Sequence, residues 1–166
     1  MARMRKTRGF TLVELLIVLV LIGIVSTSVF MVIKNVLGKG GDAARKSHLN
    51  QLGRALTITC YLPGAGGGKY DLIPLSEEIF TKYPQYKASI RRIFKDPKVG
   101  TDTNSGYTYI VSDNGKECAV FANLENEAEP ITLRNLTDPT PGAGSGVLKG
   151  ETTGINGTQI YFQISN

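Results

Sequence analysis

The longest pattern in the chain is an apolar run near its start. From Phe10 to Ile33, twenty-four residues hold one charge, Glu14. As a helix at about 1.5 Å per residue, the run is about 36 Å long, enough to cross a hydrocarbon core of about 30 Å. It outruns the apolar region of a secretory signal, and no A-x-A-like cleavage site follows it. Further on the pattern becomes one-sided. Leu49, Leu52, Leu56 and Cys60 fall at i, i+3, i+7 and i+11, one helix face, while Arg45, Lys46, His48, Asn50 and Gln51 lie mainly off it. Pro63-Gly64 predicts the stop, so one helix covers 10–62, with 10–33 as a transmembrane or core segment, and Gly64–Gly68 predicts a loop.

Beyond the spine, residues 70–98 are irregular. A short helix is predicted at Ser76–Tyr83, with Ser76 as cap and Glu77 and Glu78 in its first turn, and a second at Ala88–Phe94. Alternation then predicts strands at Tyr107–Ser112 and Glu117–Leu124 around an Asn114-Gly115 type I′ turn. A third is predicted at Thr158–Ser165, where Ile160, Phe162 and Ile164 share a face, and a weak fourth at Thr132–Leu136. Thr137–Gly157, rich in Gly, Pro and Thr, reads as a surface loop. The predicted fold class is α+β: a long N-terminal helical spine packed on a small antiparallel β-sheet head over residues 63–166.

Charge changes the picture at the N-terminus. The net charge is +5, yet Arg3, Arg5, Lys6 and Arg8 stand in the first nine residues with no acid among them. Without them, fifteen basic residues face fourteen acidic ones. The basic excess therefore reads as a targeting segment, and a dedicated nucleic-acid module is not expected. The positive-inside tendency places Met1–Gly9 in the cytoplasm and the C-terminal body outside. Glu14 resists a plain anchor reading, because an acid inside an apolar run is costly and normally has a partner or a function.

The string Arg8-Gly-Phe-Thr-Leu-Val-Glu-Leu-Leu-Ile-Val-Leu19 resembles the leader junction of type IV pilins and type II secretion pseudopilins. The resemblance implies that 1–9 is a cleaved leader peptide. A prepilin peptidase would cut between Gly9 and Phe10, and Phe10 would be N-methylated. Glu14, the fifth mature residue, would act in assembly by neutralising the Phe10 amine of a neighbouring subunit, a charge that a packed helix bundle cannot leave unpaired. Many relatives have Pro at the position of Met31. Its absence moves the expected weak point of the helix to Gly38, Gly40 and Gly41, since Gly costs about 1 kcal/mol against Ala in a helix. Lys95-Asp96-Pro97 followed by Tyr107-Thr-Tyr109 is similar to the start of the sheet in major pseudopilins, although the pseudopilin calcium loop is not evident. Asp96, Asp102 and Asp113 read as turn residues.

Two cysteines are too few for a disulfide scaffold and wrongly spaced for zinc. Cys60 lies on the buried stripe and Cys118 on the strand face of Val120, Ala122 and Leu124. A bridge pinning sheet to spine is the expectation, with two buried thiols as the alternative. Gly64–Lys69 lacks the spacing of a phosphate loop, His48 is the sole histidine, and Asn135 and Asn156 head sequons of no evident use. No catalytic constellation, metal site or cofactor is expected.

The expected role is a structural subunit of a type IV pilus-like filament, serving adhesion, motility, DNA uptake or secretion. The alternatives are a type II secretion pseudopilin and a non-polymerising, membrane-anchored binding domain. The implied partners are further copies of the chain and minor pilins, the prepilin peptidase, an inner-membrane assembly platform, and DNA or surfaces through the assembled filament. The implied location is a single-pass membrane protein before assembly and an extracellular or periplasmic filament afterwards.

Overall fold

The computed structural model describes residues 11–166, apart from the side chains of residues 27–37, 86, 88 and 89. The expected leader, and with it Gly9 and Phe10, lies outside the described residues. The chain divides into two compact units, Met1–Leu37 and Gly38–Asn166. Helix α1 covers Leu12–Leu56. In the first unit its large apolar side chains from Leu12 to Val25 are all exposed, from 43% at Val18 to 80% at Leu12. Among the described residues no helix is long and apolar enough to cross a membrane. Phe10 and the side chains of residues 27–33, which complete the predicted span, fall outside them.

In the second unit the one-sided stripe decides the packing. Leu49, Leu52, Leu56 and Cys60 join one core with Tyr107, Tyr109 and Val111 of strand β2 (Tyr107–Val111) and Cys118, Val120 and Ala122 of β3 (Cys118–Asn123). The antiparallel register sets Tyr109 opposite Val120 and Val111 opposite Cys118, so alternate residues of both strands face α1. Three further strands complete the sheet: β1 (Gly68–Asp71), β4 (Gly146–Lys149) and β5 (Ile160–Ser165). The order is β1-β2-β3-β5-β4, with every described pairing antiparallel. The architecture is α+β. Helix α1 approaches β5 so closely that a Cβ on Gly53 would stand 2.3 Å from Ile164 Cγ2.

Several local expectations change. Helix α1 ends at Leu56, not at Leu62. Tyr61 N–H donates to Leu56 O (3.2 Å) while Cys60 takes a left-handed φ of 41°, the pattern of a Schellman turn with cysteine in the place usually held by glycine. Helix α2 starts at Leu72 and runs to Lys82, capped by Asp71, whose carboxylate accepts from Ile73 N–H at 2.8 Å. Pro74 falls in its first turn, where a missing N–H costs nothing. Ser76, the predicted cap, is buried mid-helix and donates to Ile73 O at 2.7 Å. The second predicted helix is a short α3 (Lys87–Ile90) followed by a 3-10 turn, Arg91–Phe94.

The hairpin turn is not type I′. Asn114 keeps a negative φ, Gly115 alone is left-handed (66°), and Gly115 N–H closes onto Ser112 O at 2.9 Å. No strand forms at Thr132–Leu136. Thr132 and Leu133 each donate a single N–H to Val147 O, and β4 lies inside the segment predicted as a loop.

Candidate functional site

At the start of α1, Thr11 and Glu14 form a reciprocal capping box. The Glu14 carboxylate accepts from Thr11 N–H (2.9 Å) and Thr11 Oγ1 (2.8 Å), and Glu14 N–H donates back to Thr11 Oγ1 at 3.3 Å. Both side chains are exposed. In the isolated chain the one acid of the apolar run is therefore occupied by a neighbour three residues away. Beyond it stands a continuous sleeve of exposed Leu, Val and Ile. Such a surface on a water-facing helix marks a contact with lipid or protein.

The second unit holds a buried charge cluster that periodicity assigned to the polar face. Arg45 is fully buried, because its partners come from loops brought over it. Its Nε and Nη2 grip Asp96 at 2.6 and 3.0 Å, a bidentate pair. Nη1 meets Asp42 and Glu125 at 2.8 Å each, and Nη2 reaches Asn156 Oδ1 at 3.2 Å. Asp42 accepts the N–H groups of Glu125 and Asn126 at 2.9 Å. Lys98 pairs with the outer oxygen of Glu125. Asp96 also accepts from Lys98 and Val99 N–H, so it is a turn residue as expected and an ion-pair partner besides. No described buried side-chain polar atom lacks a partner.

Burial pushes the Asp96 carboxyl up. Hydrogen bonds from Arg45 and from the Lys98 and Val99 amides outweigh it and hold the group below the usual carboxylate range. Glu125 is likewise held down, burial being outweighed by Lys98 and Arg45. His48 is half-buried, with Nδ1 3.0 Å from Tyr107 Oη. Desolvation lowers its pKa, partly offset by the Lys95 carbonyl and Asp96.

The candidate glycines have different settings. Helix α1 is unbroken across Gly38, Gly40 and Gly41 in the isolated chain. A Cβ on Gly41 would crowd Glu125 Oε1 (3.1 Å) and Arg45 Nη1 (3.2 Å), whereas Gly40 faces open space. Gly41 thus leaves room for the charge cluster, a demand invisible in the sequence. Cys60 and Cys118 form a disulfide with Cα atoms 5.5 Å apart. The Asn156 amide is committed to Asn123 O at 2.8 Å. Among the described residues no group of three or more His, Cys, Asp or Glu is placed to hold a metal ion.

The sleeve and its capped acid belong to a recognisable signal. Residues 4–30 match the model of the prokaryotic N-terminal methylation motif. The chain carries a prepilin-type leader. That leader is the one of type IV pilins and pseudopilins, and it supports a pilin- or pseudopilin-like precursor. The proteins it marks are structural subunits, not enzymes. No curated protein and no solved structure matches the chain.

Proposed function

We propose that this chain is a structural subunit of a type IV pilus-like filament, polymerised through its N-terminal helix. The match of residues 4–30 to the methylation motif carries the reading. The exposed sleeve from Leu12 to Val25 supports it, since those side chains need lipid before assembly and neighbouring helices after it. In this reading a prepilin peptidase cuts between Gly9 and Phe10, Phe10 is N-methylated, and Phe10–Ile33 holds the subunit in the membrane until an assembly platform extracts it. Further copies and minor pilins surround it in the fibre, and Glu14 pairs with a neighbour's Phe10 amine. N-terminal sequencing with mass spectrometry of sheared surface material tests the reading. A chain beginning at N-methylated Phe10 is expected. An intact Met1 on a membrane-bound monomer would overturn it.

Any melted stretch of α1 in the fibre is assigned to Gly38, Gly40 and Gly41, where helix propensity is lowest. A filament map with unbroken helix over residues 36–42 would refute it.

A further inference from the structure

A groove between α1 and α2 runs down to core side chains of the second unit. Its volume is about 420 Å³. Leu52 and Leu56 of α1, Ile79 of α2 and Phe94 form the floor, each no more than 8% exposed. Exposed Ala55, Thr59, Tyr83 and Gln85 stand at the rim with half-buried Tyr61. No acid lines the groove. A cation overlooks it: Lys82 Nζ lies 5.7 Å from the ring centroids of both Tyr61 and Tyr83. Lys82 enters none of the salt bridges among the described residues. Glu78, one turn before it on α2, is engaged instead by Tyr61 Oη–H and Gly64 N–H, at 2.9 Å each.

We propose that this groove binds a small aromatic carboxylate, with its ring on the apolar floor and its carboxylate at Lys82. Volume and lining set the class of ligand. Small-molecule sites enclose about 300–1,000 Å³ and combine apolar walls with a few polar groups. Along α1 the groove extends from Leu52 to Thr59, about 10 Å at about 1.5 Å per residue. That length takes a ring and a short side chain, but only about three residues of extended peptide at about 3.3 Å each. Tyr61, Tyr83 and Phe94 offer ring contacts in edge or offset geometry. With Glu78 committed to two donors, the open charge at the rim is that of Lys82, which selects an anion. Binding at this groove requires no polymerisation.

Fluorine NMR of fluorophenylpropionate, with the full-length chain in lipid nanodiscs, tests it, and empty discs subtract partition into lipid. A probe of about twelve non-hydrogen atoms is expected to bind with a Kd of about 1–5 mM. Ala55→Trp, which fills the groove from an exposed helix position, is expected to abolish saturable binding. Lys82→Gln is expected to weaken it about two- to five-fold, the range for an exposed charge pair. Fluorophenylpropanol, the uncharged counterpart, is expected to lose as much. Lys82 is exposed, so Lys82→Gln keeps the test open if Ala55→Trp does not fold. No saturable signal from the wild type, unchanged binding in either variant, or equal binding of the alcohol would overturn the proposal. So would association between discs that Ala55→Trp removes while probe binding persists, which assigns the groove to another copy.

Discussion

Glu14 satisfies the first turn of its own helix through Thr11, and the same carboxylate is the group proposed to meet a neighbour's amine. Substitution by Ala or Val removes both roles at once. Glu14→Gln separates them, because glutamine serves in a capping box but carries no charge. We expect Glu14→Gln to be processed normally yet to leave few sheared filaments, as Glu14→Val does. Wild-type filament yield from the glutamine variant would assign Glu14 to capping alone. Arg45 is the other residue whose loss has a readable consequence. Removing one member of a buried ion pair costs about 3–5 kcal/mol, since the partners stay buried and uncompensated. Arg45→Met should therefore lower stability by about that amount in urea unfolding. In the wild type, Asp96 and Glu125 titrate lower in the fold than in the unfolded chain, where carboxyls ionise near 4. Their contribution is present above pH about 4 and is lost as pH falls through the lower folded values. His48 acts in the same direction from its ordinary value of about 6.5 downward. Without Arg45, burial pushes Asp96 up, so the variant should gain stability on mild acidification where the wild type does not. Urea midpoints at pH 3 to 7 check the sign.

Among the elements, the end of α1 is the most constrained. Leu56 O accepts Tyr61 N–H and Tyr109 Oη–H donates to Tyr61 O at 2.8 Å, while Cys60 holds a left-handed backbone that glycine would adopt freely. The disulfide closes a sequence separation of 58 residues, worth about 4 kcal/mol in the chain-entropy model. Two double variants separate bridge from backbone. Cys60→Ser/Cys118→Ser should lose about 4 kcal/mol. Cys60→Gly/Cys118→Ser should lose about 1 kcal/mol less, having relieved the left-handed residue. Equal losses in non-reducing urea unfolding would contradict the backbone part. The same elements show what a single sequence can convey. The Leu49, Leu52, Leu56 stripe and the alternation of β2, β3 and β5 were legible because each repeats its period several times. Strands β1 and β4 have four residues each and open on glycine, too short for a period, and they lie at the sheet edges. The start of α2 was hidden by Pro74, which reads as a breaker unless the first turn is already known. Arg45 looked like a surface residue because Asp96 is 51 positions away. Periodicity along one helix carries no trace of a loop folded over it.

For the whole molecule, the two units ask for different surroundings. Among the described residues the first presents apolar side chains and one acid, and the second closes its own core and holds charges both buried, as at Arg45 and Asp96, and exposed. Net charge averaged over the chain describes neither. The sheet adds a constraint of timing. Strand β5, at the C-terminal end of the chain, lies between β3 and β4 and pairs with both, and Asn166 N–H still donates to Cys118 O. Until those final residues leave the ribosome, β4 has no neighbour, one edge of β3 is open and the groove at Gly53 is unfilled. The head therefore completes its fold only after residues 160–166 have emerged, long after the N-terminal helix.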